Sequence, residues 1–116
     1  MFPKKNRLGR KDFNKIYKKG KRVYNKHFTL FYLKIPEQTE PQFGIVASTK
    51  VGKAAVRNKV KRRIREVVIS ELPRIYTDLQ MIILTKPPIT KLSYKELVKE
   101  FSTALYKLSN NTKGKS

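Results

Sequence analysis

The sequence contains no cysteine and no tryptophan, a single histidine and only eight acidic residues. Without cysteine the chain can form neither disulfides nor thiolate metal sites. No apolar run approaches the roughly 20 residues that span a bilayer, and no charged start followed by an apolar stretch marks a signal peptide. These absences predict a cytoplasmic protein that does not enter a membrane.

Positive charge, in contrast, is abundant. The 28 lysines and arginines give a formal net charge of +20. A compact domain with this charge repels itself, whereas a bound polyanion neutralises it and releases counterions. Nucleic acid is therefore the predicted partner. An anionic membrane surface is a second candidate, and a merely solubilising surface is a weaker one because natural surfaces usually mix both signs.

The chain is long enough for one domain with a hydrophobic core. It has 116 residues, of which 39% are hydrophobic, including six Phe and six Tyr. This size and composition favour a single folded unit over a disordered basic protein. We predict one RNA-binding domain over residues 1–109 and a polar, disordered tail over residues 110–116.

Apolar periodicity predicts three helices. Leu8, Phe13, Ile16 and Tyr17 share one face of a short first helix, which Gly20 can end in the left-handed conformation. A long second helix begins near residue 54 and stops at the proline at position 73. A capping box, formed by the serine at position 93 and the glutamate at position 96, begins the last helix.

The remaining apolar segments predict strands. Residues 23–35 are rich in β-forming residues, and residues 28–33 are apolar on both alternating faces, which is typical of a central strand. Residues 43–49 and 79–85 are two further strand candidates. A Pro-bounded acidic loop over residues 36–41 separates the first two of these segments.

The second helix carries the most distinctive pattern in the chain. Residues 53–65 contain seven cations, and Arg57, Lys61 and Arg65 form one helical stripe with Asn58 and Arg62 beside it. Like charges at this spacing repel, and the first acid of the helix is at position 66. A phosphate-rich partner explains the pattern better than a solvated helix face or a membrane-bound helix.

At this helix the sequence resembles the bacterial ribonuclease P protein family. The match to the family signature is Arg57-Asn58-Lys59-Val60-Lys61-Arg62-Arg63-Ile64-Arg65. Lys59 is a departure, because many members have Arg there. The resemblance extends over about residues 6 to 108 and includes an Asn-Arg-Leu opening, an Asp-Phe-x-x-x-Tyr segment, the strands, a Lys-Pro pair and the last helix.

The resemblance implies an α+β fold. It is a single-domain α/β sandwich like the second domain of ribosomal protein S5, in the order α-β-β-β-α-β-α. The crossover from the third strand through the signature helix to the fourth strand is expected to be left-handed, although pattern reasoning alone favours a right-handed one.

The resemblance also implies the roles of particular residues. The signature helix and the loop before it are expected to bind the catalytic RNA, through Lys53, Arg57, Asn58, Lys59, Lys61, Arg62 and Arg65. A cleft between that helix and the sheet is expected to hold the single-stranded 5′ leader of precursor tRNA, against Phe13, Tyr17 and Phe31. Stacking on aromatic rings tolerates variable leader sequences. The alternative for these three residues is an ordinary place in the core. Nearby cations that could support the backbone of the leader are Lys11, Lys15, Lys18, Arg22 and Lys50.

Nothing in the sequence assembles a catalytic site. The acids are scattered, and the one histidine, His27, has no acids near it in sequence, so it is expected to face solvent or RNA. The resemblance implies that Mg²⁺, held mainly by the RNA subunit, performs hydrolysis that removes the leader. The holoenzyme would be an endoribonuclease with this chain as its binding subunit. A ribosomal or other rRNA-binding protein is the main alternative, and a self-sufficient nuclease is a weaker one.

Overall fold

The computed structural model describes residues 2–113, with side chains through residue 110. Three helices and four strands follow one another in the predicted order α-β-β-β-α-β-α. The helices are α1 (Arg10–Lys19), α2 (Ala54–Glu71) and α3 (Tyr94–Lys113). The strands are β1 (Lys21–Tyr24), β2 (Phe28–Lys34), β3 (Gln42–Val46) and β4 (Leu79–Thr85). Short 3₁₀ turns cover Lys4–Asn6, Leu72–Arg74 and Pro87–Lys91.

The four strands form one mixed sheet in the spatial order β1-β2-β4-β3. β2 is antiparallel to both β1 and β4, and β3 is parallel to β4. Because parallel neighbours need a crossover, α2 connects β3 to β4. The prediction that β2 is a central strand is confirmed, since it has a partner on each side and its first five residues are buried. The handedness of the crossover stays a prediction.

Helices cover both faces of the sheet. Alternate residues of β2 and β4 enter two separate apolar clusters. The larger cluster joins Leu30 and Met81 to α2 and α3, and we call this side the α2–α3 face. The smaller cluster joins Phe31 and Ile82 to Ile16 of α1, and we call this side the α1 face.

Gly20 corrects one prediction. Its backbone is extended (φ −75°, ψ 160°) and not left-handed, and its N–H donates to the Ile16 carbonyl at 2.8 Å. Glycine is needed there for a different reason. A Cβ at residue 20 would lie 2.5 Å from the Ile16 oxygen and 2.8 Å from the Tyr32 oxygen. The close passage from α1 into β1 therefore excludes a side chain.

Several predicted boundaries also move. The β-rich segment over residues 23–35 divides into β1 and β2, and β3 ends at Val46 because the chain turns there toward α2. The predicted tail began at residue 110, but α3 continues to Lys113, and residues 114–116 lie outside the described residues. Within residues 2–113, no helix is both long and apolar enough to span a bilayer.

Candidate nucleic-acid interface

The N-terminal segment places a cation at the edge of the sheet. Asn6 is buried and its side-chain amide donates to the Pro41 carbonyl at 2.7 Å. The next residues run along β3, with a parallel bridge from Arg7 to Phe43 and a hydrogen bond from the Leu8 N–H to the Phe43 carbonyl at 3.1 Å. Arg7 was missed as a site residue, although it belongs to the Asn-Arg-Leu opening that carries part of the resemblance.

Two of the three predicted leader-binding aromatic residues contact each other. The rings of Tyr17 and Phe31 meet edge to face, with centroids 4.9 Å apart and planes at 77°. The guanidinium of Arg22 lies 5.0 Å from the Phe31 centroid, which is within cation–π range. Phe31 is only 8% exposed and lies in the sheet beneath Tyr17, which is half-buried. Burial raises the pKa of the Tyr17 hydroxyl, so that group stays neutral.

Phe13 lies one turn before Tyr17 in α1 and packs over the edge strand β3. A Cβ on Gly44 would overlap the Phe13 ring, so the ring occupies the space that a side chain at residue 44 would need. Phe13 is half-buried. It is both a core contact for α1 and accessible at the surface, and its role in leader binding stays a prediction.

The position expected for the leader cleft needs a correction. The resemblance placed Phe13, Tyr17 and Phe31 between the signature helix and the sheet. In the structure these residues belong to the cluster on the α1 face, whereas α2 packs on the opposite face. Residue alternation in β2 is the reason, because Phe31 points away from the side that buries Leu30 and Tyr32. The aromatic residues lie between α1 and the sheet.

On α2, the apolar residues point into the core and the cations line the other sides. Val60, Ile64 and Val67 are buried. The predicted stripe, formed by Arg57, Lys61 and Arg65, is only half-buried. Lys61 and Arg65 lie on the flank toward β3. The other predicted RNA-binding residues are exposed, namely Lys53, Asn58, Lys59 and Arg62. Within residues 2–113, none of the seven cations between residues 53 and 65 forms an ion pair with an acid.

The first turn of α2 adds partial positive charge. Lys53 is the N-cap residue, and the structure has no side-chain cap and no acid in the first turn of this helix. The first N–H groups of a helix lack partners within the helix and attract anions. A phosphate is the anion that an RNA partner would present to them.

The two surfaces meet at the edge strand. A pocket of about 240 Å³ is bordered by Phe13 from α1, by Arg7, and by Lys61 and Arg65 from α2. Its floor includes Phe43 and Gly44 of β3. We call it the β3-edge pocket. It joins an aromatic surface to a cationic one, although α1 and α2 pack on opposite faces of the sheet.

A family model described as Ribonuclease P matches residues 2–109. The chain belongs to the ribonuclease P protein family. The ribonuclease P protein component of Bacillus velezensis is 38% identical over 114 residues, covering 93% of this chain and 97% of the relative. That of Bacillus pumilus is 34% identical over 97 residues, covering 83% of this chain and 82% of the relative.

Solved ribonuclease P proteins have the same fold. The protein from Staphylococcus aureus superposes with a TM-score of 0.80 at 29% identity, covering 87% of this chain and 93% of that one. The protein from Thermotoga maritima gives a TM-score of 0.76 at 26% identity, covering 84% and 92%. As a ribonuclease P protein component, the chain serves tRNA processing by the ribonuclease P holoenzyme, an endoribonuclease, and its partner is RNA. This family decides against the alternative of a ribosomal protein.

The structure corrects the expected role of His27. Its ring Nδ1 lies 2.8 Å from the Glu100 carboxylate, and its side chain is only 16% exposed. The same carboxylate accepts from the Asn25 amide at 3.2 Å. His27 therefore ties the β1–β2 turn to α3 in this ribonuclease P protein and does not face RNA freely. No local sequence pattern predicts this pair, since the two residues are 73 positions apart.

The predicted supporting cations are exposed. Lys11, Lys15 and Lys18 extend from α1, Arg22 lies over Phe31, and Lys50 lies in the turn before α2.

Among residues 2–113, no group of three or more His, Cys, Asp or Glu side chains comes together as a metal site.

Proposed function

We propose that this chain binds the catalytic RNA of ribonuclease P through α2 and the 5′ leader of precursor tRNA through the aromatic residues under α1. One observation carries the proposal: a cationic helix and an aromatic surface pack on opposite faces of one sheet and meet at the β3-edge pocket. Both surfaces have chemistry suited to RNA, and each suits a different part of it.

The α2 surface suits a folded RNA backbone. Its cations have no acidic partners within residues 2–113, so a polyanion can neutralise them without breaking ion pairs. Arg57, Arg62 and Arg65 offer planar donors that match phosphate oxygens in pairs. The proposed contacts to the catalytic RNA are Lys53, Arg57, Asn58, Lys59, Lys61, Arg62 and Arg65.

The α1 surface suits a single strand. Unpaired bases stack on aromatic rings with little sequence preference, which fits a leader of variable sequence. Tyr17 and Phe13 are half-buried and offer accessible ring area, while Phe31 supports Tyr17 from below. Arg22 lies over Phe31 and the lysines of α1 are exposed, so these cations are available to the phosphates of a bound leader.

Catalysis in this proposal belongs to the RNA. Mg²⁺ prefers several oxygen ligands, whereas the two proposed surfaces present mainly cations and aromatic rings, so these surfaces do not fit this metal. The chain would instead hold substrate and catalytic RNA together and reduce the repulsion between their phosphates. The cytoplasm is the proposed site of action, because it fits a cysteine-free protein that processes tRNA.

Reconstitution tests the proposal. The purified protein is added to its cognate catalytic RNA at low Mg²⁺, and cleavage of precursor tRNA is measured. We expect the protein to increase cleavage by the RNA and to cleave nothing by itself. Metal-dependent cleavage by protein that is free of RNA and of contaminating nuclease would contradict the proposal, and so would an RNA activity that the protein leaves unchanged.

A further inference from the structure

A second pocket lies on the other flank of α2, away from the β3-edge pocket. It has a volume of about 220 Å³ and opens between α2, the 3₁₀ turn Pro87–Lys91 and the start of α3. Aliphatic side chains form its walls: Val56, Val60, Ile89 and Leu97. Its polar lining comes from Lys59, Arg63 and Thr90. We call it the α2–α3 pocket.

The α2–α3 pocket combines an apolar interior with a cationic rim. Val56 is 38% exposed, although it lies in the most cationic stretch of the chain. Arg63 donates from Nη1 to the Leu92 carbonyl at 3.2 Å, which anchors its guanidinium beside the pocket. Thr90 donates to the Pro87 carbonyl at 3.0 Å, and its hydroxyl oxygen keeps acceptor capacity. None of the lining residues is acidic.

We propose that the α2–α3 pocket takes one unstacked base of the catalytic RNA, with Lys59 and Arg63 on the flanking phosphates. This inference rests on the proposed function of α2. A nucleobase has apolar faces that suit aliphatic walls and polar edges that suit the Thr90 hydroxyl. Sequence-specific recognition of RNA targets chiefly such unpaired bases, because side chains cannot read the deep, narrow major groove of an A-form helix. The cationic rim also favours a nucleotide over an apolar protein segment, because such a segment has no negative charge to pair with Lys59.

The position of the α2–α3 pocket favours the catalytic RNA over the leader as the source of this base. Val60 and Leu97 of the pocket belong to the cluster on the α2–α3 face. Phe13, Tyr17 and Phe31, the proposed leader contacts, lie on the opposite face of the sheet. Lys59 is exposed on the same helix as Arg62, within the surface proposed for the catalytic RNA.

A pocket-filling variant tests the inference. Val56→Phe adds ring volume at the pocket without changing charge, and its matched control is Ile69→Phe, at another exposed apolar position of α2. We expect Val56→Phe to weaken binding of the catalytic RNA about tenfold, the change in affinity that a loss of about 1.4 kcal/mol produces, because the added ring occupies the volume that the base would take. The salt dependence should change little, because Lys59 and Arg63 keep their charge and stay close to the flanking phosphates. Native affinity in a well-folded Val56→Phe variant would overturn the inference.

Photocrosslinking identifies the occupant directly. The photoreactive residue p-benzoylphenylalanine is placed at Thr90, on the pocket rim, and at Thr103, an exposed control position on α3. In the assembled holoenzyme we expect a crosslink from position 90 to one site in the catalytic RNA, with or without precursor tRNA. A crosslink to precursor tRNA or to protein, or a pattern equal to that from position 103, would overturn the inference.

The outcome separates this inference from the proposed function on which it rests. If Arg57, Arg62 and Arg65 matter for binding but Val56→Phe and the Thr90 crosslink give contrary results, only the assignment of the pocket fails. If replacing the three arginines also leaves the affinity for the catalytic RNA unchanged, the proposed function of α2 fails.

Discussion

The ring of Phe13 lies over Gly44, in the space that a side chain on the strand would need. Phe13 belongs to α1, and Gly44 belongs to the edge strand, where its cross-strand partner is the buried Ile82. This contact brings α1 to the edge of the sheet beside Lys61 and Arg65 of α2. The two proposed RNA-binding surfaces meet there because one residue lacks a side chain.

Gly44→Ala is therefore expected to displace the Phe13 ring. Overpacking a core contact costs about 1 to 3 kcal/mol, and the value should be near the lower end because the half-buried ring can move. The free energy of unfolding should fall by this amount. In a Phe13→Ala background the same glycine substitution should cost almost nothing. Equal costs in the two backgrounds would show that the ring does not restrict residue 44.

Tyr17→Ala is expected to weaken holoenzyme binding of precursor tRNA by about 1 to 3 kcal/mol, the effect of one lost stacking contact. Mature tRNA should bind almost as before, and the loss should disappear when the leader is shortened to one or two nucleotides. Tyr106→Ala is the control, because that ring is 68% exposed on α3 and lies outside both proposed surfaces. Equal losses for precursor and mature tRNA would point to misfolding.

Phe31→Ala should behave differently from Tyr17→Ala. Phe31 is 8% exposed, so its removal leaves a cavity as well as a weaker stacking surface. We expect the free energy of unfolding to fall by about 3 to 5 kcal/mol in addition to the loss of leader-dependent binding. Melting curves measured beside the affinities separate the two effects. A variant with native stability would contradict the buried position of this ring.

The triple variant Arg57→Ala, Arg62→Ala and Arg65→Ala tests the α2 surface. Each lost phosphate contact should lower the slope of log affinity against log salt concentration by about one unit. Lys107→Ala, an exposed cation of α3, should leave the slope unchanged. Binding of the catalytic RNA is measured by titration at several salt concentrations. Native affinity with a native slope would show that these arginines do not bind the catalytic RNA and form an ordinary solvated helix surface.

The first turn of α3 predicts a dependence of stability on pH. The backbone and side chain of Ser93 hydrogen-bond to Glu96 and hold the pKa of that carboxyl below its usual value of 4.5. A lowered pKa in the folded state means that ionised Glu96 stabilises the protein above the unfolded-state pKa. This contribution is lost as the pH falls through the folded-state pKa.

Glu96→Gln should therefore be less stable than the native chain near neutral pH. The difference in melting temperature should shrink as the pH falls below 4.5, the ordinary pKa of the group. Glu37→Gln, in an exposed loop, is the control that reports general loss of charge. A difference that persists unchanged in acid would mean that the carboxylate charge does not contribute.

Local patterns determined the secondary structure of this protein. Apolar periodicity along α2 selects a helix, because its apolar residues share one face in that conformation, whereas the short length and β-forming residues of β2 indicate a buried strand. The Ser93–Glu96 capping box was also confirmed, with hydrogen bonds of 2.9 and 3.1 Å, since both partners lie within one helical turn. The resemblance at residues 57–65 led to the family, because the signature lies in consecutive residues.

Only the tertiary structure decided which distant residues meet. The pairing of His27 with Glu100, the bridge from Arg7 to β3 and the placement of Phe13 over Gly44 join segments that no local pattern connects. The side of the sheet that α1 covers also depends on long-range packing. A strand that is apolar on both faces, such as β2, can bury either face against a given helix, so its sequence alone does not say which helix Phe31 will contact.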